Sequence, residues 1–272
     1  MAATIPTSVQ DPTLRVTITS NGKPIQDLFS LVSVQVHHEI NKISTAEIVI
    51  TDGTTSEATS GVIGDYPASD STYFIPGALI VISAGYGILA AQQLFSGIVV
   101  KQAIEANEDG KFSLIVTCKH AAVKMTINKK DAVFMNQTDS SILSTVVSPY
   151  GLSASVQATS DINELVFQKF ATDWDFLLSR AEFNGYIVTL VNDQVMVGPP
   201  MVSGSAVLLV AFGQSINSFH AELSAERQAP SLSAAAWDPQ TLTMLSSTAT
   251  EPSLNTQGVP APQQLASVLQ QT

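Results

Sequence analysis

The chain has 272 residues, enough to bury roughly three quarters of its unfolded surface in one large core or several smaller ones. Hydrophobic residues make up 45% and charged residues only 13%, about half the charged share of an ordinary soluble domain. Such a surface, built on Ser, Thr, Asn, Gln and Ala, suits a protein that packs against other subunits, because interface cores are depleted in charge.

The net charge of −11 and the absence of a basic stripe argue against nucleic-acid binding. A membrane-spanning helix needs about 18–20 uninterrupted apolar residues. The best candidate, Ala78 to Val100, is broken by Ser83, Gly85, Gly87, Gln92, Gln93 and Ser96. Met1-Ala-Ala-Thr-Ile-Pro6 has neither a basic nor an apolar signal region, so synthesis and folding in a cytoplasm are expected. A single cysteine, Cys118, leaves no internal disulfide framework and agrees with a reducing compartment.

Taken in order, residues 1–12 are polar and contain Pro6 and Pro12, which predicts a loose arm. Leu14 to Ile18 and Leu31 to Ile40 alternate as strands around a Ser20-Asn-Gly-Lys23 turn, and Ser44 to Ile50 follows as a third. Thr51 to Ser71 is rich in Thr, Ser, Gly and Asp and predicts an exposed loop. Leu79 to Ala84 is apolar on both faces, Gly85-Tyr86-Gly87 predicts a turn, and Leu94 to Gln102 makes the next strand. Gly97 within it signals a bulge or a close approach of two backbones. Asn107-Glu-Asp-Gly110 predicts a hairpin loop before the alternating run Lys111 to Lys119.

The period then lengthens. Thr138 or Asp139 is placed to cap a helix over Ser140 to Val147, stopped by Pro149 and Gly151. Leu165 to Phe170 leads to a better punctuated helix, from Thr172 to Gly185. Thr172 or Asp173 caps its first turn, Trp174, Leu177, Leu178 and Ala181 share a face, and Gly185 supplies a left-handed stop. Tyr186 to Val191 and Gln194 to Val197 form a hairpin about Asn192-Asp193. Further strands are expected over Ala206 to Phe212, Ile216 to Arg227 and Leu232 to Trp237, with no strand pair after Asp238. Thr241 to Pro262 is expected to be a linker, and a helix is expected from Pro262 to Leu269.

The expected fold class is mainly β with an α+β insert: two antiparallel barrels, the second incomplete, flank a mixed region. The expected divisions are an arm at 1–12, a first barrel at 13–125, the insert at 126–200, the start of a second barrel at 201–240 and a linker with a helical segment at 241–272.

Several groups carry residue types found in active sites. His37 and Glu39 share a strand face while His38 points the other way, so this run supplies two same-face ligands without a third. Cys118 and His120 could form a thiol–imidazole pair, but no third orienting group is evident. Asp173, Asp175 and Glu182 suggest paired carboxylates, yet acids in a first helical turn complement the helix dipole, which favours capping. Trp174, Phe176, Phe183 and Tyr186 are expected to form a core cluster. Lys129-Lys130 is expected in a solvated turn. Asn136-Gln137-Thr138 is a formal glycosylation acceptor, not expected to be used without a signal peptide. No catalytic residue, cofactor or metal is assigned, and the chain is expected not to be an enzyme.

Gly77-Ala-Leu-Ile-Val-Ile-Ser-Ala-Gly-Tyr-Gly87, Leu94-Phe-Ser-Gly-Ile-Val-Val100, Cys118-Lys-His-Ala121 and, above all, Gln168 to Gly185 resemble the hub part of Vgr-type spike proteins. These are related to baseplate hub and late-control D proteins of contractile phage tails. The likeness runs from about Leu14 to Trp237, and its motif residues are Thr172, Asp173, Trp174, Asp175, Phe176, Arg180, Gly185 and Trp237. It implies a homotrimer whose paired barrels present a pseudo-sixfold ring to a hexameric inner tube, with a spike below and other baseplate proteins as neighbours. It also implies assembly in a bacterial cytoplasm and a place in an extracellular or cell-associated phage-tail-like particle. The sequence departs from that pattern in lacking an OB-fold, a repetitive β-helix spike and the closing strands of a second barrel. A β-rich adhesion or carbohydrate-binding module is the alternative, supported by the Ser/Thr-rich loops.

Overall fold

The computed structural model describes residues 13–25, 29–53, 66–87, 90–106, 112–201, 210–213, 216, 218–226, 229, 231–239, 241–250 and 262–268. The expected arm at 1–12, the middle of the Thr51–Ser71 loop, the 107–110 hairpin loop and most of the strand from Ala206 lie outside them, as does much of the linker before the last helix. The chain divides into two compact units, one over Val9–Pro200 and one built on Met201–Thr272.

The first unit begins with β1 (Leu14–Ser20), β2 (Lys23–Pro24), β3 (Leu31–His37), β4 (Thr45–Thr51), β5 (Leu79–Tyr86), β6 (Gln92–Ala106) and β7 (Phe112–Lys119). Among the described residues these form one antiparallel sheet in the order β2-β1-β5-β6-β7-β4-β3. Alternation dictates the core: Ile18, Ile48, Ile50, Ile80, Ile82, Leu114, Val116 and Cys118 point to one side and are almost fully buried. Gly97 of β6 is required by a close approach, since a Cβ there would lie 2.4 Å from the Lys119 carbonyl oxygen. At the loop after β4, the buried Asp52 carboxylate accepts the backbone amides of Ala68 and Ser69, each at 2.9 Å.

A closed barrel was expected, but the sheet is open. Leu14 and Val16 of β1 face Val34 and Val36 of β3 across a groove of about 760 Å³, with no ladder between the two strands. The turn predicted at Gly85 starts later, because Gly85 and Tyr86 still pair with β1.

A 3₁₀ turn (Ala121–Thr126) then leads into a second layer of structure with its own core. Its elements are β8 (Lys129–Thr138), α1 (Asp139–Val147), β9 (Ser153–Val156), β10 (Ile162–Thr172), α2 (Asp173–Phe183), β11 (Ile187–Val191) and β12 (Gln194–Gly198). β8 and β10 pair as an antiparallel ribbon, and β9 runs parallel to β12 in a three-stranded sheet with β11. Ile142, Leu143 and Val147 of α1, Trp174 and Leu177 of α2, and Val188 and Val195 of the hairpin close this core. Lys129 and Lys130 open β8, which corrects the expected solvated turn. Ladder pairing to Thr172 and Ala171 fixes both lysines.

In the second unit, β13 (Ser231–Asp238) and β14 (Thr243–Thr250) form a hairpin, and α3 (Pro262–Val268) follows. The expectation of no strand after Asp238 is therefore corrected. β14 was hidden because its described side chains are exposed on both faces, so the hydrophobic period of two is missing. The strand expected over Ile216 to Arg227 is absent from the described residues 218–226, where Phe219 and Leu223 stay exposed. Only the β13–β14 hairpin stands where a second barrel was expected, among the described residues.

Candidate functional site

The helix from Thr172 to Gly185 is held at both ends by its own sequence. Thr172 caps α2, its Oγ1 accepting the Asp175 amide at 3.1 Å and donating to Asp175 Oδ2 at 2.7 Å. At the other end Gly185 has φ +67°, its amide donates to Glu182 O at 2.9 Å, and the Tyr186 amide donates to Ala181 O at 2.8 Å. That pair of bonds is the Schellman arrangement, which needs a left-handed residue at this position. Trp174, Phe176, Leu177 and Ala181 are buried, and Phe176 stacks on Phe134 of β8 at 5.6 Å. Phe183 departs from the expected core cluster: it is exposed and carries the Arg180 guanidinium over its ring at 4.5 Å.

Asp173 is not the cap but the first residue of the helix, and its carboxylate turns elsewhere. Its carboxylate is buried and accepts three hydrogen bonds, from Lys130 Nζ at 2.6 Å, Tyr150 Oη at 2.6 Å and Gln168 Nε2 at 2.8 Å. Burial alone would raise its pKa, but the bonds from Gln168, Lys130 and Tyr150 and the lysine charge together hold it below the ordinary carboxylate range. Lys130 is shifted upward, chiefly by its bond to Asp173. Burial pushes the Tyr150 phenol up as well.

The matching acid on α1 is Asp139. It is buried, accepts Arg180 Nε at 2.7 Å and Asn184 Nδ2 at 2.9 Å, and lies 2.5 Å from the second guanidinium nitrogen. The start of α1 is thereby tied to the end of α2, and Tyr150, just beyond the end of α1, is tied to the start of α2. We call this double tie the clamp. Its parts are Asp139, Tyr150, Lys130, Asp173 and Arg180, separated by up to 50 residues in the chain. Sequence reasoning named the second helix's acids, read Asp139 as a possible cap and Lys130 as part of a turn, and missed Tyr150 and the pairing of all three, which no local pattern announces.

A second polar cluster joins the seven-stranded sheet to the layer above it. His120 is buried. Its Nε2 bonds the Asn192 carbonyl at 2.6 Å, and its Nδ1 accepts the Ala122 amide at 3.1 Å, so the ring is neutral with the proton on Nε2. Burial lowers its pKa, against the raising effects of the Asn192 carbonyl and Asp193, while His38 lowers it further. Asp193 also accepts Ser96 Oγ at 3.1 Å, and Asn41 exchanges two 2.8 Å bonds with the Val188 backbone. Both nitrogens of His120 are thus occupied by backbone, and it forms no pair with Cys118, whose thiol burial pushes up to about 12.

The remaining sequence candidates are scattered. His38 bonds Ser44 Oγ at 2.9 Å and the Leu94 carbonyl at 2.8 Å, and Glu39 pairs with Lys42. Among the described residues no group of three or more His, Cys, Asp or Glu is placed to hold a metal. Asn136 is exposed in β8. Trp237 sits exposed in β13 opposite Met244, in the other unit from the α2 motif.

The sequence matches the profile of the Alg8 N-terminal domain over residues 10–272. The chain belongs to that family. No curated protein sequence matches it significantly. Among solved structures, a tail protein from Neisseria meningitidis MC58 is similar at a TM-score of 0.61 and 13% identity, over 93% of this chain and 74% of that one. The 43 kDa tail protein of prophage MuSo2 from Shewanella oneidensis is similar at 0.50 and 12%, over 68% of this chain and 54% of that one. The Alg8-family chain thus spans about half the length of the Shewanella protein. Its fold is mainly β and of the kind found in phage tail proteins.

Proposed function

We propose that this Alg8-family chain is a non-enzymatic hub of a contractile injection machine, a Vgr-type trimeric adaptor that joins a hexameric inner tube to a central spike. The observation that carries the reading is the fold likeness to the Neisseria tail protein, which extends over 93% of the chain. The low charge supports it, since only 13% of residues are charged and rings of subunits bury much of their flank. In this reading a second barrel-like domain is completed in the assembled ring, and an extracellular phage-tail-like particle is the favoured setting, ahead of a type VI system or a true phage. The acids of the α2 motif are structural in this reading because the buried Asp173 carboxylate spends its acceptors on Lys130, Tyr150 and Gln168, and Asp175 accepts the Thr172 hydroxyl.

Native mass spectrometry of the purified chain, with and without the inner tube protein, tests the proposal. A trimer that captures tube hexamers is expected. A stable monomer that captures none would remove the hub reading.

A further inference from the structure

The β8–β10 ribbon has one face built into the core and one built for a neighbour. Phe134, Val166 and Gln168 turn inward and are buried. Val133 lies opposite Phe167 and Met135 opposite Leu165, and these four side chains are 49–61% exposed. The ribbon has two strands only, so neither outer edge is paired among the described residues.

At the end of this face the backbone is strained. Between Gln168 and Ala171 the ladder bulges, and Phe170 adopts φ +46°, a region that bulky residues avoid. The Phe170 amide donates to Asp131 Oδ1 at 2.8 Å, and Lys129 Nζ sits over its ring at 4.5 Å, yet the side chain remains 70% exposed. The chain fixes a strained aromatic in solvent at the rim of an apolar strip. Within the unit that arrangement gains the Asp131 bond and the Lys129 contact but leaves the ring itself unburied, where an outside surface would meet it.

We infer that the outer face of β8 and β10 is a self-association surface, occupied by a second copy of this chain. Area is the first argument for that occupant. Val133, Met135, Leu165, Phe167 and Phe170 together expose roughly 500 Å² of apolar surface, against about 800 Å² from each partner in a stable interface. The polar ends of the ribbon, the pair Gln137 and Asn163 at one end and Asp131 and Lys169 around the bulge at the other, supply the rim.

Charge is the second argument. The whole chain carries −11, but beside this outer face the ribbon holds Lys129 and Lys169 against Asp131, while Lys130 turns away to Asp173. Each copy therefore offers both signs to the other here, on a face that does not carry the acidic excess of the whole chain. The inference deepens the hub reading by naming the surface through which copies meet, and it rests on that reading only for the number three.

The test uses the full chain in sedimentation equilibrium, comparing it with the double variant Met135→Ser, Phe167→Ser. The wild type is expected to self-associate. The variant should associate more weakly by about tenfold or more, as loss of a central aromatic anchor does. Its circular dichroism, and its thermal midpoint at dilutions where both proteins are monomeric, should be unchanged, because both side chains are exposed in the single chain.

As a second measurement, the thiol introduced by Met135→Cys should react with maleimide more slowly at assembling concentrations than on dilution. The buried Cys118 gives little background. Undiminished association of the double variant, equal labelling rates, or a wild type that is monomeric at every concentration would overturn the inference. A chain that associates through this face but captures no tube protein would support the inference and remove the hub reading instead.

Discussion

The clamp and the sheet joint solve the same problem with opposite chemistry. Each fastens segments far apart in sequence, but the clamp does so with two buried carboxylates and their cations, whereas the joint uses a neutral imidazole, an asparagine and backbone groups, with its one carboxylate, Asp193, bound to a serine hydroxyl and not to a cation. A buried ion pair is costly to assemble and more costly to break halfway, because the abandoned charge stays buried. A neutral hydrogen-bonded joint risks less from the loss of one partner, but it fails if its histidine takes a proton. The two regions should therefore respond differently to truncation and to acid.

The largest effect is expected at Arg180. Arg180→Ala leaves Asp139 buried with only Asn184 as donor, and should cost about 3–5 kcal/mol in urea unfolding of the chain. Arg180→Lys should recover less than half of that loss, since a single ammonium cannot reproduce the two-nitrogen contact. If Arg180→Ala costs no more than a surface substitution, the carboxylate is not held as described.

Asp173 should rank second. Asp173→Asn keeps the shape and loses the charge-assisted bonds, for about 1–2 kcal/mol at neutral pH. Lys130→Met should cost under about 1 kcal/mol, because the lysine is 43% exposed and screened by water. Asp173 is held below its unfolded pKa, so its contribution is complete above about pH 4 and is lost as pH falls through the folded value. Wild type should therefore weaken more steeply than Asp173→Asn below that pH, and equal acid limbs would show that Asp173 is not the titrating group.

How much of this was legible in the sequence depends on whether the signal is local. The caps of α1 and α2, the Gly185 stop and the Asn192-Asp193 hairpin were all readable, because each is written within a few residues. Gly97 was readable as a close approach, though not which backbone approached. β8 was not readable: Val133 and Met135 on one face and Phe134 on the other erase the period, and the lysines at its start resemble a turn. Its inner and outer faces make sense only once β10 is beside it. Asp173 was mistaken for a simple cap for the same reason, since Lys130 lies 43 residues away and was itself assigned to a turn. The open edge between β1 and β3 likewise follows from how the sheet curls, which alternation does not encode.

A small effect, and the one that most sharpens the contrast, belongs to His120. Its folded pKa lies below the unfolded value of about 6.5, so the folded state resists protonation. Above that pH the ring is neutral in both states and the joint contributes fully. As pH falls from there through the folded value, the unfolded chain takes up the proton first and stability drops. Asp193, which faces the ring, opposes this shift, and His38 reinforces it. His120→Gln should cost about 1 kcal/mol at pH 8 and should flatten stability relative to wild type as pH falls from about 6.5 through the folded value. The Asp173→Asn variant should keep the wild-type slope in that window and differ only below it. The two curves, measured by urea unfolding across pH, separate a joint that fails by gaining a proton on nitrogen from a clamp that fails by gaining one on oxygen.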